Sequence, residues 1–376
     1  MITISLLLCA FFSCRRADEA TSYRLVRSDK TLSFPLDDRM KSSLFSYSLY
    51  TDKEGKEYFT VKNPDTNDIL FYNMATSKPE FKRSFAREGN HGVGRMDGYH
   101  IHTFDSIFLI SNVQMIVLAD TSTVVKDRFH YETTSQGIPL LRFPGLNSMS
   151  QPLVILDNKL HILPIPNRRQ EINPLCVLID LADKSVLGLK VQYPEFPGMD
   201  DGTYKTFGSE IEVSRCYDGR QFVYSFYYDE DIYIVDIGHT SLRKVKAVSR
   251  YIDRVEYPDD FVATPEEICT NPKYGSLLYD KYRDVYYRIA YPKSELEKGV
   301  NALELIQFGC KLFSIMILDR EWNVVGETKL PEYTYNSRVW FVREDGLYLS
   351  ASHFMNPEYS DDWLVFHRFD LVKKKE

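Results

Sequence analysis

The sequence has no apolar run long enough to cross a bilayer as a helix, which takes about 20 residues. Its most apolar stretch, MITISLLLCAFFSC, opens the chain and stops at Cys14. Nor is there a concentrated Lys/Arg face. The one basic run, Lys373 to Lys375, sits at the C-terminus of a chain with formal net charge −7, which argues against nucleic acid as a partner. The six cysteines fall in no CxxC or other metal-like spacing. GxSxG, HExxH, P-loop and catalytic Cys–His signatures are all missing, so the hydrolases, zincins and NTPases that carry them are not indicated.

Aromatic residues, by contrast, are plentiful: 26 Tyr and 23 Phe among 376 residues. Their rings suit a pleated, half-buried surface, so the bias leans towards β structure. A hydrophobic share of 44% and a charged share of 26% match an ordinary globular protein.

The N-terminal segment resembles a bacterial lipoprotein signal. Phe11-Phe12-Ser13-Cys14 is similar to a lipobox, with a small residue before the cysteine to be lipidated, whereas Cys9 follows Leu8 and fits poorly. The expected organisation is a signal peptide over 1–13, lipidated Cys14 and a polar tether over 14–22, and one folded domain over 23–376. A plain secretory signal is the alternative. Export would permit a disulfide among Cys176, Cys216, Cys269 and Cys310, but the spacing identifies no pair. Cys176, inside the apolar run PLCVLID, reads as a small core hydrophobe.

The stretch IVLADTSTVVKDRF (116–129) has near-copies along the chain. Apolar runs ending in Asp or Asn recur as ILFYN (69–73), IVLAD (116–120), CVLID (176–180), IYIVD (232–236), SIMILD (314–319) and VFHRFD (365–370). The first five are followed by a polar turn and another apolar run. Each of the six is preceded by an aromatic-rich run, starting at 57, 107, 160, 222, 285 and 347, and by a short turn rich in Asp or Gly. Such turns tolerate positive φ or hydrogen-bond their own backbone. Six units of four strands, loosely spaced, predict an all-β fold: a six-bladed β-propeller of four-stranded antiparallel blades. The last unit supplies three strands and TSYRLVRSDKTLSFPL near the N-terminus is spare, so the N-terminal strand is expected to complete the last blade and hide exposed edges.

Long connections share one face of such a fold, and loops on a rigid scaffold tend to carry function. Three of them stand out. FAREGNHGVGRMDGYHIH (85–102) offers His91, Arg95, His100 and His102 as candidate ligand-binding residues. His100 and His102, two apart on a strand, point the same way and could hold Zn²⁺ with a third ligand. YPEFPGMDDGTYKTFGSE (193–210) offers Asp200 and Asp201, acids able to join a Ca²⁺ site or simply to be solvated. PKSELEKGVNALELIQFG (292–309) has Leu296, Val300, Leu303, Leu305 and Ile306 at helical spacing, with Ser294 and Glu297 as a capping box, predicting a short helical insertion in blade five. Asn63, Asn112 and Asn167 follow their second strands, where they suit turns or a channel-mouth Ca²⁺.

The lipobox-like start, the aromatic-rich units and the GxG-bearing connection of the first unit together resemble a family of uncharacterised Bacteroides-type lipoproteins similar to six-bladed, TolB-like propellers. That resemblance implies an envelope location at the outer membrane and carries over no catalytic residue. The expected function is a membrane-anchored binding or scaffolding module for a protein, peptide or glycan, with no obligatory cofactor. A Ca²⁺- or Zn²⁺-dependent hydrolase or lyase at the channel mouth is the alternative.

Overall fold

A computed structural model describes residues 23–37, 40–141, 149–167, 170–194, 213–255 and 264–374. Cys14, Asp200 and Asp201 lie outside these residues. The described chain is all-β, with two short helices.

Four sheets are separate, four-stranded and antiparallel. The first holds β2 to β5 (Tyr47–Thr51, Glu57–Lys62, Asp68–Asn73, Lys78–Ser84), the second β6 to β9 (Met96–Thr103, Ser106–Ser111, Met115–Ala119, Val125–His130). The third holds β10 to β13 (Val154–Leu156, Lys159–Ile162, Val177–Asp180, Val186–Gly188), the fourth β14 to β17 (Val213–Tyr217, Gln221–Phe226, Asp231–Asp236, Leu242–Lys246). The rest form an eight-stranded sheet ordered β18-β19-β20-β21-β1-β24-β23-β22. Its strands are β1 (Tyr23–Pro35), β18 to β21 (Lys273–Asp280, Val285–Tyr291, Ser314–Leu318, Val324–Lys329) and β22 to β24 (Asn336–Arg343, Gly346–Ser350, Trp363–Lys373).

The recurring aromatic runs are the second strands, and the runs ending in Asp or Asn are the third. They carry apolar residues on both faces because both are covered: β3 is buried at five of six positions, and β19 at all seven. The fourth strands pay no such constraint. In β5 and β17, charged residues stand in water and no position is fully buried.

The N-terminal strand pairs antiparallel with β24, from Tyr23 opposite Lys373 to Pro35 opposite Trp363, with an irregularity between Arg27 and Thr31. Tyr23 also makes one parallel pairing with Gly326 of β21. Phe34 is fully buried and stacks on Phe59 of β3 at 4.9 Å, with Phe366 of β24 edge-on at 6.0 Å. These rings bind the first sheet to the N-terminal strand and to the end of the chain.

Polar stitches join neighbouring sheets. Thr60 of β3 meets the Tyr99 hydroxyl of β6 at 2.8 Å. The fully buried Arg215 of β14 donates to the carbonyls of Pro152 and His161. Arg288 of β19, also fully buried, donates to Ser225 Oγ and to the carbonyls of Glu230, Ala247 and Asp229. Trp340 Nε1 of β22 donates to Ser276 Oγ of β18 at 3.1 Å, while the Tyr47 hydroxyl of β2 donates to the Trp340 carbonyl at 3.1 Å. Between the second and third sheets the join is apolar, with Phe108, Ile116 and Phe129 in one cluster with Leu160, Ile162 and Val177.

The helical insertion is shorter than its periodicity suggests. α2 covers Ala302–Phe308 and starts at Asn301, whose side chain accepts from Leu303 N. Gly299, at φ 89°, interrupts the run before it. Ser294 caps nothing there and donates instead to the Cys269 carbonyl at 3.2 Å. A second helix, α1 (Pro265–Thr270), was not expected. Its start has Thr264 and Glu267 as a complete capping box with Pro265 in the first turn.

Candidate functional site

The residues singled out around β6 do not converge. His91 is exposed, and its Nδ1 accepts from Val125 N at the start of β9. Arg128 of β9 donates to the Asn90 and Gly92 carbonyls, pinning the same loop. Arg95 precedes β6, with its side chain 70% exposed and Asp97 3.8 Å from its Nε. His102 lies near the opposite end of that strand. His100 and His102 share a face, as their spacing requires, with ring centroids 6.5 Å apart. Burial, reinforced by His102, pushes the His100 imidazole down to about 4. Among the described residues no three His, Cys, Asp or Glu side chains cluster as a metal would need. Asn63 is a turn-former: its Oδ1 accepts from Asp65 N at 2.9 Å and Thr66 N at 3.3 Å.

A different set of residues does converge. Where β18 and β22 begin and β19 ends, α1 and α2 border a depression of about 140 Å³. Lys273, Tyr291, Ser337, Arg338, Cys310 and Phe45 are among its lining residues, and no described lining residue is acidic. The residues around β6 line none of it.

Local chemistry explains each position. Lys273 opens β18 directly opposite Tyr291, the last residue of β19. The Tyr291 hydroxyl shares a hydrogen bond with Ser337 Oγ at 2.7 Å, so two strands from different halves of the large sheet meet at the floor. α2 reaches that floor because it ends at Gly309, φ 100°, where a Cβ would stand 2.8 Å from Ser337 Oγ. Any larger residue would push the helix away. His353 holds the same turn from below: its Nε2 lies 3.1 Å from the Gly309 carbonyl, and Nδ1 accepts from Met355 N. Arg338 donates to the Ile306 carbonyl at 3.1 Å and lies beside the half-exposed Phe45 ring at the mouth.

Two buried thiols back the depression. Cys269 of α1 and Cys310 after α2 belong to one apolar cluster. Hydrogen bonding to Cys310 and burial both push the Cys269 thiol up, away from the thiolate that a nucleophile needs. The depression therefore offers a cation, hydroxyls and aromatic surface. These are the means to bind a ligand.

Sequence reasoning passed over Lys273, Tyr291, Ser337 and Arg338, because nothing local marks them: their meeting depends on which strand starts lie side by side.

The comparisons agree with the fold. A crystal structure of a DUF4221 family member from Bacteroides vulgatus superposes with a TM-score of 0.78 at 21% identity, covering 94% of this chain and 99% of that one. A Bacteroides fragilis protein inferred to be exported superposes with a TM-score of 0.55 at 9% identity, covering 95% and 98%. No curated protein matches the chain. No helix among the described residues is long and apolar enough to cross a membrane. The model of the family described as domain of unknown function DUF4221 matches residues 22–329, and the chain belongs to that family.

Proposed function

We propose that this chain is a six-bladed β-propeller, tethered to the outer membrane through lipid on Cys14, that binds part of a protein, peptide or glycan in the depression beneath α1 and α2. The six-blade reading is supported by the sheets. Four stand alone, and the eight-stranded one divides naturally into β18–β21 and β22–β24 with β1. The joins between neighbouring sheets, apolar between the second and third and polar elsewhere, run round the chain and return from β22 to β2. Envelope placement is supported by the lipobox-like start and by the similar Bacteroides fragilis protein that is inferred to be exported.

The observation that carries the binding role is the depression itself. It gathers a buried cation, hydroxyls and aromatic rings on the face of long connections. Arrays of glycans and peptides, probed with soluble protein spanning 23–376, test it. Ile306→Glu at the mouth is expected to remove binding, while Lys53→Glu, exposed on the β2–β3 turn, leaves it intact. Equal binding by both variants would overturn the assignment. So would turnover of a small substrate by protein holding stoichiometric Ca²⁺ or Zn²⁺.

A further inference from the structure

We infer that the ligand presents a carboxylate to the depression, and that Lys273 is the residue that binds it. This rests on the depression being the ligand site.

Lysine is almost never fully buried unless its charge is paired. Lys273 is only 3% exposed. Yet no carboxylate among the described residues stands within ion-pair reach of Nζ, and no described group accepts a hydrogen bond from it. Its recorded neighbours are the ring faces of Tyr228 and Tyr291, with centroids 5.9 and 5.7 Å from Nζ. Such contacts recover only part of what an ammonium loses on leaving water.

Other buried cations in this protein are treated differently. Lys62, 8% exposed, donates to the Asn63 carbonyl at 2.7 Å. Arg215 and Arg288 satisfy their guanidinium groups on backbone carbonyls and side chains. Lys273 alone of these four has its charge facing a cavity.

The chemistry of the ligand follows from what surrounds that charge. One ammonium with three donors, beside the Tyr291–Ser337 hydroxyl pair, suits a singly charged planar anion. A phosphate would call for more positive charge or a bidentate arginine, and Arg338 is exposed and already engaged with Ile306. A volume of about 140 Å³ admits the end of a molecule rather than the whole of it, since pockets that enclose a whole drug-sized ligand run to about 300–1,000 Å³. A peptide C-terminus and the carboxylate of an acidic sugar are two sources of this one chemistry.

The test uses soluble protein spanning 23–376 and two matched probe pairs: N-acetyl-dialanine against its C-terminal amide, and glucuronate against glucose. Calorimetry is expected to show at least tenfold tighter binding for the carboxylate member of one pair, which identifies the source. Lys273→Met is expected to lose that preference, and Lys273→Arg to retain part of it. Removing an unpaired buried ammonium does not weaken the fold, so the unfolding midpoint of Lys273→Met should be no lower than that of wild type; Lys273→Gln repeats the test with a polar side chain. Equal binding within both pairs, or an unchanged preference in Lys273→Met, overturns the inference. If Ile306→Glu abolishes array binding while Lys273→Met does not, only the carboxylate assignment fails. If Ile306→Glu has no effect, the depression fails as the ligand site.

Discussion

The carbonyl of Tyr23 in β1 occupies the space that a side chain on Gly326 of β21 would need, so the two strands meet at a position that only glycine fits. A Cβ at 326 would collide with backbone rather than with a yielding side chain. Gly326→Ala is therefore expected to displace the start of β1 and to destabilise by about 1–3 kcal/mol. Phe34→Ala removes a fully buried ring from the other end of the same strand and should cost about 3–5 kcal/mol. Urea unfolding followed by tryptophan fluorescence measures both, and a change under 0.5 kcal/mol in either would show that β1 is dispensable.

Arg288 donates to the Ser225 hydroxyl and to the carbonyls of Glu230, Ala247 and Asp229, and lies over the Tyr274 ring at 3.6 Å. Burial lowers its guanidinium to about 10, which still leaves it charged at neutral pH. Truncation to Met strands several carbonyls without donors, at about 1–3 kcal/mol for each left unsatisfied. Arg288→Lys should rescue little, because an ammonium cannot reproduce the planar fork. Chemical denaturation of the two variants checks this; a lysine variant as stable as wild type would refute it.

Stability should fall with acid. His239 accepts from the Tyr224 hydroxyl at 2.6 Å with Nδ1 3.2 Å from the Ile237 carbonyl, and burial pushes its imidazole down to about 4. Burial holds His353 down to about 4 as well. A depressed imidazole binds its proton more readily unfolded than folded. Its contribution is thus complete above the unfolded value, about 6.5, and drains away as pH falls towards 4. Each such histidine gives a slope of about 1.4 kcal/mol per pH unit in that window. Unfolding free energies at pH 7 and pH 5 test the sign, and His239→Gln should flatten the slope.

The buried thiols should be inert while the protein is folded. Burial raises Cys176 to about 11 and pushes Cys216 up as well. Iodoacetamide at pH 8 is expected to label none of Cys176, Cys216, Cys269 and Cys310 before denaturation and all four after it, as read by intact mass. Rapid labelling of the native protein would mean that the core opens readily.

Much of the architecture could be read from residue patterns, for a physical reason. Second and third strands are covered on both faces, so EYFTV, FVYSF and VYYRIAY are rich in aromatic and β-branched residues along their length and announce themselves. The spare N-terminal strand could be inferred because the last unit was one strand short. The helices were harder. In the insertion, Gly299 outweighed the periodicity before it, and Thr264-Pro265-Glu266-Glu267 carried a capping signal that went unused. The binding residues were hidden for another reason. Histidines attract notice by type, yet His91, Arg95 and His102 are set apart by the strand and loop they occupy. Lys273 owes its environment to Tyr228, Tyr291 and Ser337, which reach it only through the order of the strands.

The pairing of β1 with β24 also bears on how the molecule is made. Arg27 Nη2 of β1 lies 3.2 Å from His367 Nε2 of β24 across a separation of 340 residues. Contacts that span nearly the whole polypeptide form late and slowly, because a very long loop must close first. During synthesis the opening segment must therefore wait, unpaired, until the ribosome has finished the closing one. A chain cut short before residue 363 would leave that segment with open backbone groups, primed to recruit a neighbouring copy.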